Sequence, residues 1–312
     1  MDFKQLQNFC AIAQAGSLTA AARGVQLTQA ALSRQMALLE AELQVELFRR
    51  NGRGVVLTAA GQQLLEHAHL ILRQVALAKE SVRANANTAR GTLAVGLPPS
   101  LARTMVVPLV EAFQAELPEV ALQSLDGLSS HLLELVSNAK LDCAVVYNVA
   151  PLPNVTMEAL AEESLYLVSG PLDYVGEPPL KSSVTLSDVA RLPLIVAGKS
   201  NTIHMTLTTA LAAMGKTAQV VHEIANLNAI LDMVRKGHGY AVVPLSGVHS
   251  CIGDPELRLH RVRRPALNCK LFTATATQSP DPLTDSAMKL LRRVVTTQLA
   301  AFDLEVENAI TR

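Results

Sequence analysis

Leu27-Thr28-Gln29-Ala30-Ala31-Leu32-Ser33-Arg34-Gln35-Met36-Ala37-Leu38-Leu39-Glu40-Ala41-Glu42-Leu43 is the stretch on which the reading of this chain turns. Leu32, Met36, Leu39 and Leu43 recur four, three and four residues apart, which puts them on one stripe of an α-helix. Ala30, Ser33, Arg34 and Ala37 fall on the opposite stripe. Thr28 is placed to cap the first turn by accepting from a free backbone N–H, with Gln29 at the exposed start. Small residues on the outer face let such a helix approach a groove closely, while Gln, Ser and Arg offer hydrogen bonds to base edges. Taken alone, the same pattern also describes an ordinary amphipathic helix on a protein surface.

The flanking residues narrow the choice. Phe3, Leu6, Phe9, Cys10 and Ala13 form a helical stripe upstream, and Ser17 can cap a short helix of small residues at 18–23. A tight connection at 24–27 leads into the main helix, so the order is helix, helix, turn, helix, with the last helix as reader. Residues 47–58 read as two short strands around an Asn51-Gly52 turn, with Arg49, Arg50 and Arg53 near the tip. Such a wing would lie along phosphates or enter a minor groove.

These residues resemble the LysR-type transcriptional regulators. The resemblance rests on Ala21-Ala22, Thr28-Gln29, Ala31-Leu32-Ser33-Arg34-Gln35, Leu39-Glu40, Leu43, Leu47-Phe48-Arg49-Arg50 and Leu57-Thr58-Ala59-Ala60-Gly61, agreeing at the family's spacing over about sixty residues. Two positions depart from it. Ala30 stands where the family commonly has proline, removing a rigid first helical residue. Gln44 stands near a common glycine, so the reading helix is expected to end without its usual left-handed cap.

Bulk properties agree with this organisation. A chain of 312 residues suggests two or three domains. The formal charge is zero overall, yet residues 1–90 carry a net +4 and the remainder −4, an electropositive front end on an acidic body. Cys10, Cys143, Cys251 and Cys269 lie far apart without metal-ligand spacing and read as buried thiols, paired redox sensing being the lesser alternative. No apolar run approaches the ~18 residues of a membrane span and no signal sequence opens the chain, so the expected location is the cytoplasm, away from membranes.

Residues 58–89 read as one long helix. Leu64, Ala68, Ile71, Val75, Ala78 and Val82 give it a seam of heptad period, widened by Leu65, Leu72 and Leu77, and so extended a seam asks for a partner helix from a second copy. A polar break at 85–91 follows as a hinge. Beyond it, strands at 91–97, 120–125 and 141–147 alternate with helices at 101–117 and 129–139, a pattern that implies a covered parallel sheet. A second set has strands at 164–168, 192–197, 219–224 and 240–244 with helices at 202–214 and 227–236, and the strand at 268–275 and helix at 285–302 return to the first set. This two-lobed arrangement resembles the LysR effector domain, itself similar to periplasmic solute-binding proteins. Around Gly96-Leu97-Pro98-Pro99-Ser100 and Glu116-Leu117-Pro118-Glu119 it resembles the branch controlling nitrogen assimilation.

The expected fold is therefore a multi-domain α+β chain. It has a winged helix-turn-helix at 1–58, a linker and dimerisation helix with hinge at 59–90, and a two-lobed α/β effector domain at 91–303. Lobe I takes 91–163 and 268–303, and lobe II takes 164–267. Open α/β sheets bind ligands beyond the carboxyl ends of their strands. That rule points to Ser100, Ser129, Ser130, Tyr147, Asn148, Lys199, Thr202 and Asn226 as effector-binding candidates, with helix starts favouring a small anion. Ser100, Ser129 and Thr202 could equally be plain N-caps. For DNA, Gln29, Ser33 and Arg34 are the candidate base readers, Thr28 and Ala30 shape the start of the reader, and Arg49, Arg50 and Arg53 would hold phosphates. The resemblance implies double-stranded DNA, a second copy of the chain (dimer, then tetramer), a small effector and RNA polymerase as partners, and no cofactor.

No enzymatic motif appears. Ala197-Gly198-Lys199-Ser200 imitates the end of a phosphate-binding loop, but Pro193 occupies the place of its first glycine. The eight histidines form no HExxH, there is no GxSxG, and His238 sits in a turn before a strand as a structural residue. The expectation is a regulator rather than an enzyme. The alternative is a metabolite-binding module without sequence-specific DNA activity.

Overall fold

The computed structural model describes residues 1–52, 54–83, 91–171, 180–277 and 282–311. The chain folds as two compact units, Met1–Asn87 and one that takes in Thr88–Ser137 and Leu141–Arg312. The N-terminal unit contains α1 (Phe3–Ala15), α2 (Leu18–Gly24), α3 (Gln29–Leu43), the hairpin β1 (Phe48–Asn51) and β2 (Gly54–Leu57), and α4 (Ala59–Arg83).

Each start in this unit is fixed by a short polar side chain. Asp2 forms a capping box with Gln5 at α1, Ser17 accepts from Ala20 at α2, and Thr28 accepts from the Ala31 N–H at 3.2 Å. Thr58 works in both directions at α4: its oxygen accepts from the Gly61 N–H at 3.0 Å and its hydroxyl donates to the Glu46 carbonyl at 2.6 Å. Leu32, Met36 and Leu39 are buried as their spacing requires, against Leu6, Phe9, Ile12, Ala21 and Ala22. Each such large side chain contributes about 1.5–3 kcal/mol by leaving water.

Two expectations from the sequence are corrected here. The end of α3 does carry a left-handed cap, supplied by Gln44 itself at φ 57° and ψ 28°, a strained backbone for a residue with a Cβ. In the hairpin, Asn51 pairs with Gly54, so Asn51 is the last paired residue of β1 and not the first residue of the turn. Glu40 ties α3 to this wing, its Oε1 accepting from the Leu47 N–H at 2.8 Å and the Phe48 N–H at 3.2 Å. The beginning of α4 must come equally close. A Cβ on Gly61 would lie 2.1 Å from the Leu47 carbonyl oxygen, which accounts for a glycine there.

Part of the α4 seam faces its own unit. Ala68 is fully buried, and Leu64, Leu65 and Leu72 pack with it on the core of their own unit, so the first half of the helix does rest on its own domain. Ile71 is exposed. The side chains of Ala78 and Val82, and the hinge at 85–90, lie outside the described residues.

The second unit is built on β3 (Gly91–Leu97), α5 (Pro99–Glu116), β4 (Val120–Asp126), α6 (Ser129–Ser137), β5 (Cys143–Tyr147) and β6 (Val155–Ser169). It continues through β7 (Ser183–Thr185), α7 (Leu186–Val189), β8 (Pro193–Val196), α8 (Thr202–Ala212), β9 (Gln219–Glu223), α9 (Leu227–Arg235) and β10 (Ala241–Pro244). Last come α10 (Leu245–Val248), β11 (Arg258–Arg263), β12 (Asn268–Ala276) and α11 (Pro282–Thr311).

The main sheet has the order β4-β3-β5-β12-β6-β11-β7, with β10 also on β6. It is mixed and not wholly parallel: β3 runs parallel to β4 and β5, whereas β12 runs antiparallel to β5 and β6. The fifteen-residue β6 carries the chain between the lobes. Its first part pairs with β12 and its last residues pair with β10 and β11. Only its last part is announced by the sequence, because residues 156–162 alternate too weakly in polarity to mark a strand. Strand β11 is a further addition: Arg258-Leu259-His260-Arg261-Val262-Arg263 is dominated by charge, yet His260 and Val262 on one face are buried.

Candidate functional site

In the N-terminal unit the outer stripe of α3 faces away from the core. Thr28, Gln29, Ala30, Arg34 and Ala37 are exposed and Ser33 is half-buried. Gln35 does not share this face, since it accepts from the buried Asn8 amide on α1. Arg49 is exposed on β1, which is held to the helices by Phe48, whose ring lies 5.2 Å from that of Phe9. Arg50 is paired through its backbone with Val55; its side chain, and Arg53 altogether, lie outside the described residues. The arrangement is a helix of low outer profile, rigidly backed, with a polar strip of the size and chemistry that fits a DNA major groove.

In the second unit a cleft of about 640 Å³, including its open side, lies where the lobes meet. Four helices begin on its wall. Pro99 and Ser100 open α5, Leu128 and Ser129 open α6, Asn201 and Thr202 open α8, and Ala225 and Leu227 flank the start of α9. The remainder is apolar, with Ile195, Ile203, Val242 and Pro244 prominent. Of the eight candidates from sequence, Ser100, Ser129, Tyr147 and Thr202 line this cleft. The other four do not. Ser130 and Lys199 are exposed and outside its lining. Asn148 is engaged with the backbone of Lys270, and Asn226 caps α9 by accepting from the Ala229 N–H.

None of Ser100, Ser129 and Thr202 is a plain N-cap. Ser100 lies inside the first turn of α5, whose cap residue Pro98 makes no side-chain cap bond, and its hydroxyl is 3.0 Å from the Tyr147 hydroxyl. Ser129 accepts from the Tyr147 backbone N–H at 3.0 Å. The cap of α8 is Asn201, which accepts from Ile203 at 2.9 Å, leaving Thr202 one residue inside.

Behind Ser100 lies a residue that sequence reasoning missed. Glu163, only 2% exposed, accepts from the Tyr147 hydroxyl at 2.7 Å and from the Ser246 backbone N–H. The Ser246 hydroxyl is 3.4 Å from that of Tyr147. Burial pushes the Glu163 carboxyl above the usual carboxylate range, partly offset by the Ser246 and Tyr147 bonds. Burial and the nearby carboxylate likewise hold the Tyr147 phenol well above its ordinary value. The available signal was periodicity, because Glu163 shares a strand face with Leu165 and Leu167.

None of the four cysteines is in a disulfide; three are buried and Cys10 is half-buried. Burial pushes Cys10 and Cys269 up to about 11, which keeps both thiols protonated and unreactive near neutrality. Among the described residues no helix is long and apolar enough to cross a membrane, and no group of histidine, cysteine and carboxylate side chains could hold a metal ion.

Comparison with known proteins gives this geometry a lineage. Residues 3–62 match the bacterial regulatory helix-turn-helix of the lysR family, and residues 86–296 match the LysR substrate binding domain. The nitrogen assimilation regulatory protein nac of Escherichia coli (strain K12) is 32% identical, with 95% of both chains covered. Two solved structures show the same fold at lower identity. A full-length OxyR variant from Pseudomonas aeruginosa superposes with a TM-score of 0.74 at 20% identity, covering 95% of this chain and 94% of that one. CbnR complexed with its target DNA gives 0.67 at 23% identity, covering 94% of this chain and 100% of that one. Both family models and a relative aligned along nearly the whole length leave one conclusion: the chain belongs to the LysR family, as a DNA-binding transcriptional regulator with an effector-binding domain.

Proposed function

We propose that this regulator reads duplex DNA through α3 and the wing, as a self-associated assembly, and that a small anionic metabolite held between the lobes tunes its binding. The observation that carries the anionic reading is the meeting of four helix starts on one cleft. Each helix start carries roughly half a positive elementary charge and first-turn N–H groups free to bind an oxyanion. Among the described residues, no lysine, arginine or histidine lines the cleft, so the helix ends are its positive feature. Ser100, Ser129 and Thr202 add hydroxyl groups, and the apolar walls fit a short carbon skeleton. Ser130, Asn148, Lys199 and Asn226 act around the site, in rim and cap roles.

On the DNA side, Gln29, Ser33 and Arg34 contact base edges, Thr28 and Ala30 set the approach of the helix, and Arg49, Arg50 and Arg53 hold phosphates. CbnR has been solved with its target DNA; the same presentation of α3 is proposed for this chain. The unburied part of the α4 seam joins two copies, and pairs join into a tetramer, so that a site of matching two-fold symmetry is read twice. The protein acts in the cytoplasm, where RNA polymerase is its further partner. The domain limits proposed are 1–58, 59–90 and 91–303, with lobes dividing at 163/164 and 267/268. Effector binding changes the lobe arrangement only if the ligand's affinity differs between the two arrangements.

The test is a gel-shift of the full chain with duplex taken from beside its own gene, over a series of salt concentrations. Binding should be sequence-dependent and should weaken steeply with salt. Indifference to the duplex at low ionic strength would end the proposal. For the cleft, Thr202→Val should weaken an identified effector without changing DNA affinity in its absence.

A further inference from the structure

We infer that Glu163 sets the hydrogen-bonding polarity of Ser100 in the effector cleft, so that an anion bound there takes up one proton onto the buried Glu163 carboxylate. The inference rests on the reading of the cleft as an anion site and adds to it a coupled proton.

An ionised Glu163 only accepts, so its two donors are the Ser246 N–H and the Tyr147 O–H. With its single proton committed to Glu163, Tyr147 can only accept from its other neighbours, Ser100 at 3.0 Å and Ser246 at 3.4 Å. The Ser100 proton then points inward to Tyr147, and lone pairs face the cleft. In that state the polar end of the cleft repels an anionic oxygen. If Glu163 carries a proton, it donates to the Tyr147 oxygen, Tyr147 turns its proton to Ser100, and Ser100 is free to donate into the cleft. No heavy atom needs to move and no bond other than hydrogen bonds changes; the proton comes from solvent.

The surroundings favour uptake. Besides Tyr147 on β5, the titratable groups facing Glu163 are Asp303 on α11, whose charge opposes ionisation, and Cys269 on β12. No cation is among the groups that shift it. A carboxylate that is 2% exposed without a cation is readily protonated.

The test uses the full chain and sodium butyrate as probe, a carboxylate with a short apolar tail that stays ionised between about pH 6 and pH 8. Calorimetric titration of the wild type should show affinity falling with rising pH, by up to about tenfold per pH unit for a one-proton linkage. Glu163→Gln, whose amide can donate permanently to Tyr147, should bind butyrate at the wild-type low-pH level with no pH slope. Tyr147→Phe, which severs the relay, should also lose the slope and serves if the glutamine variant does not fold. Equal slopes in wild type and variants would overturn the inference while leaving the anion site standing. If butyrate binds none of the proteins at any pH, the anion reading of the cleft falls instead. Ligand-free melting then decides Glu163 itself: a wild-type stability that drops relative to Glu163→Gln as pH rises supports a titrating carboxylate, and parallel profiles overturn it.

Discussion

Ser33 and Ser100 both sit near the beginning of a helix, yet their settings differ. Ser33, half-buried on α3, lies on a strip whose neighbours Ala30, Arg34 and Ala37 are all exposed. Ser100 on α5 is 7% exposed and bonded to Tyr147, itself bonded to Glu163. The outer strip of α3 belongs to one helix, and the contacts proposed for its polar groups are with DNA. The cleft between the lobes is lined by four helix starts far apart in sequence, and Ser100, Ser129 and Tyr147 in it are bonded to one another. In the first region, residues can be exchanged with little effect on the fold. In the second, a change at the site is also a change in the core.

The largest effect is expected when the backing of the reading surface is disturbed and the surface itself is left alone. Gly61→Val forces a side chain onto the Leu47 carbonyl, where even a Cβ would stand at 2.1 Å. Overpacking of that kind costs about 1–3 kcal/mol or more, and here the obstacle is backbone. DNA binding should be lost through unfolding of the N-terminal unit, read as loss of its melting transition with that of the effector unit retained. Next in size is Arg34→Ala. A bidentate contact to a base contributes roughly 1–3 kcal/mol of discrimination, so specific affinity should fall about tenfold to a hundredfold toward the non-specific level with melting unchanged. A specificity profile identical to wild type would remove Arg34 from the readers.

The cleft should answer differently, since its polar residues also hold the fold. Tyr147→Phe removes a donor from a buried carboxylate, a loss of about 1–3 kcal/mol, and should lower stability in denaturant titrations. Its pH dependence has a definite sign. The Glu163 carboxyl is raised on folding, so the stability linked to its proton is fully present below the unfolded value, near 4.3, and fades as pH rises through the folded one. The deficit of Tyr147→Phe should therefore widen toward high pH. A deficit that instead widened toward acid would mean that Glu163 is held ionised by the fold.

The same difference explains what could be read from the sequence. The reader, its Thr28 cap and the apolar stripe of Leu32, Met36 and Leu39 are local in sequence, and period alone reveals them. The left-handed Gln44 was not legible, because its residue type argues against that conformation and only the surrounding packing enforces it. In the effector unit the strands and helices were legible from alternating periods, whereas the cleft was legible only in part. Ser100, Ser129, Tyr147 and Thr202 reach it because strand ends point there. Lys199 and Asn148 follow the same rule and miss, since a rule about loops does not say which way a side chain turns. Glu163 was missed because a buried acid is identified by its partners Tyr147 and Ser246, which lie 16 and 83 residues away.

The smallest expected effect tests whether the two lobes are held at a set distance by contacts outside the cleft. The Arg103 guanidinium on α5 donates to the Asn228 side-chain carbonyl on α9 at 2.6 Å, and both residues are exposed. Both helices begin on the wall of the cleft, so the bond ties two parts of that wall together. A charged donor on a neutral acceptor is stronger than a neutral pair, but exposure to water reduces its net contribution to about 0.5–1 kcal/mol. Arg103→Ala should therefore leave the melting temperature nearly unchanged and speed the exchange of a bound effector about two- to fivefold, the factor such an energy corresponds to. The increase should appear in the dissociation and association rates alike, because Arg103 and Asn228 lie outside the cleft lining and touch none of its polar groups. Unchanged exchange rates would mean that the lobes are positioned by β6 and the buried Tyr147–Glu163–Ser246 contacts alone, and the cleft would then be as rigid in its framework as the reading helix is on its core.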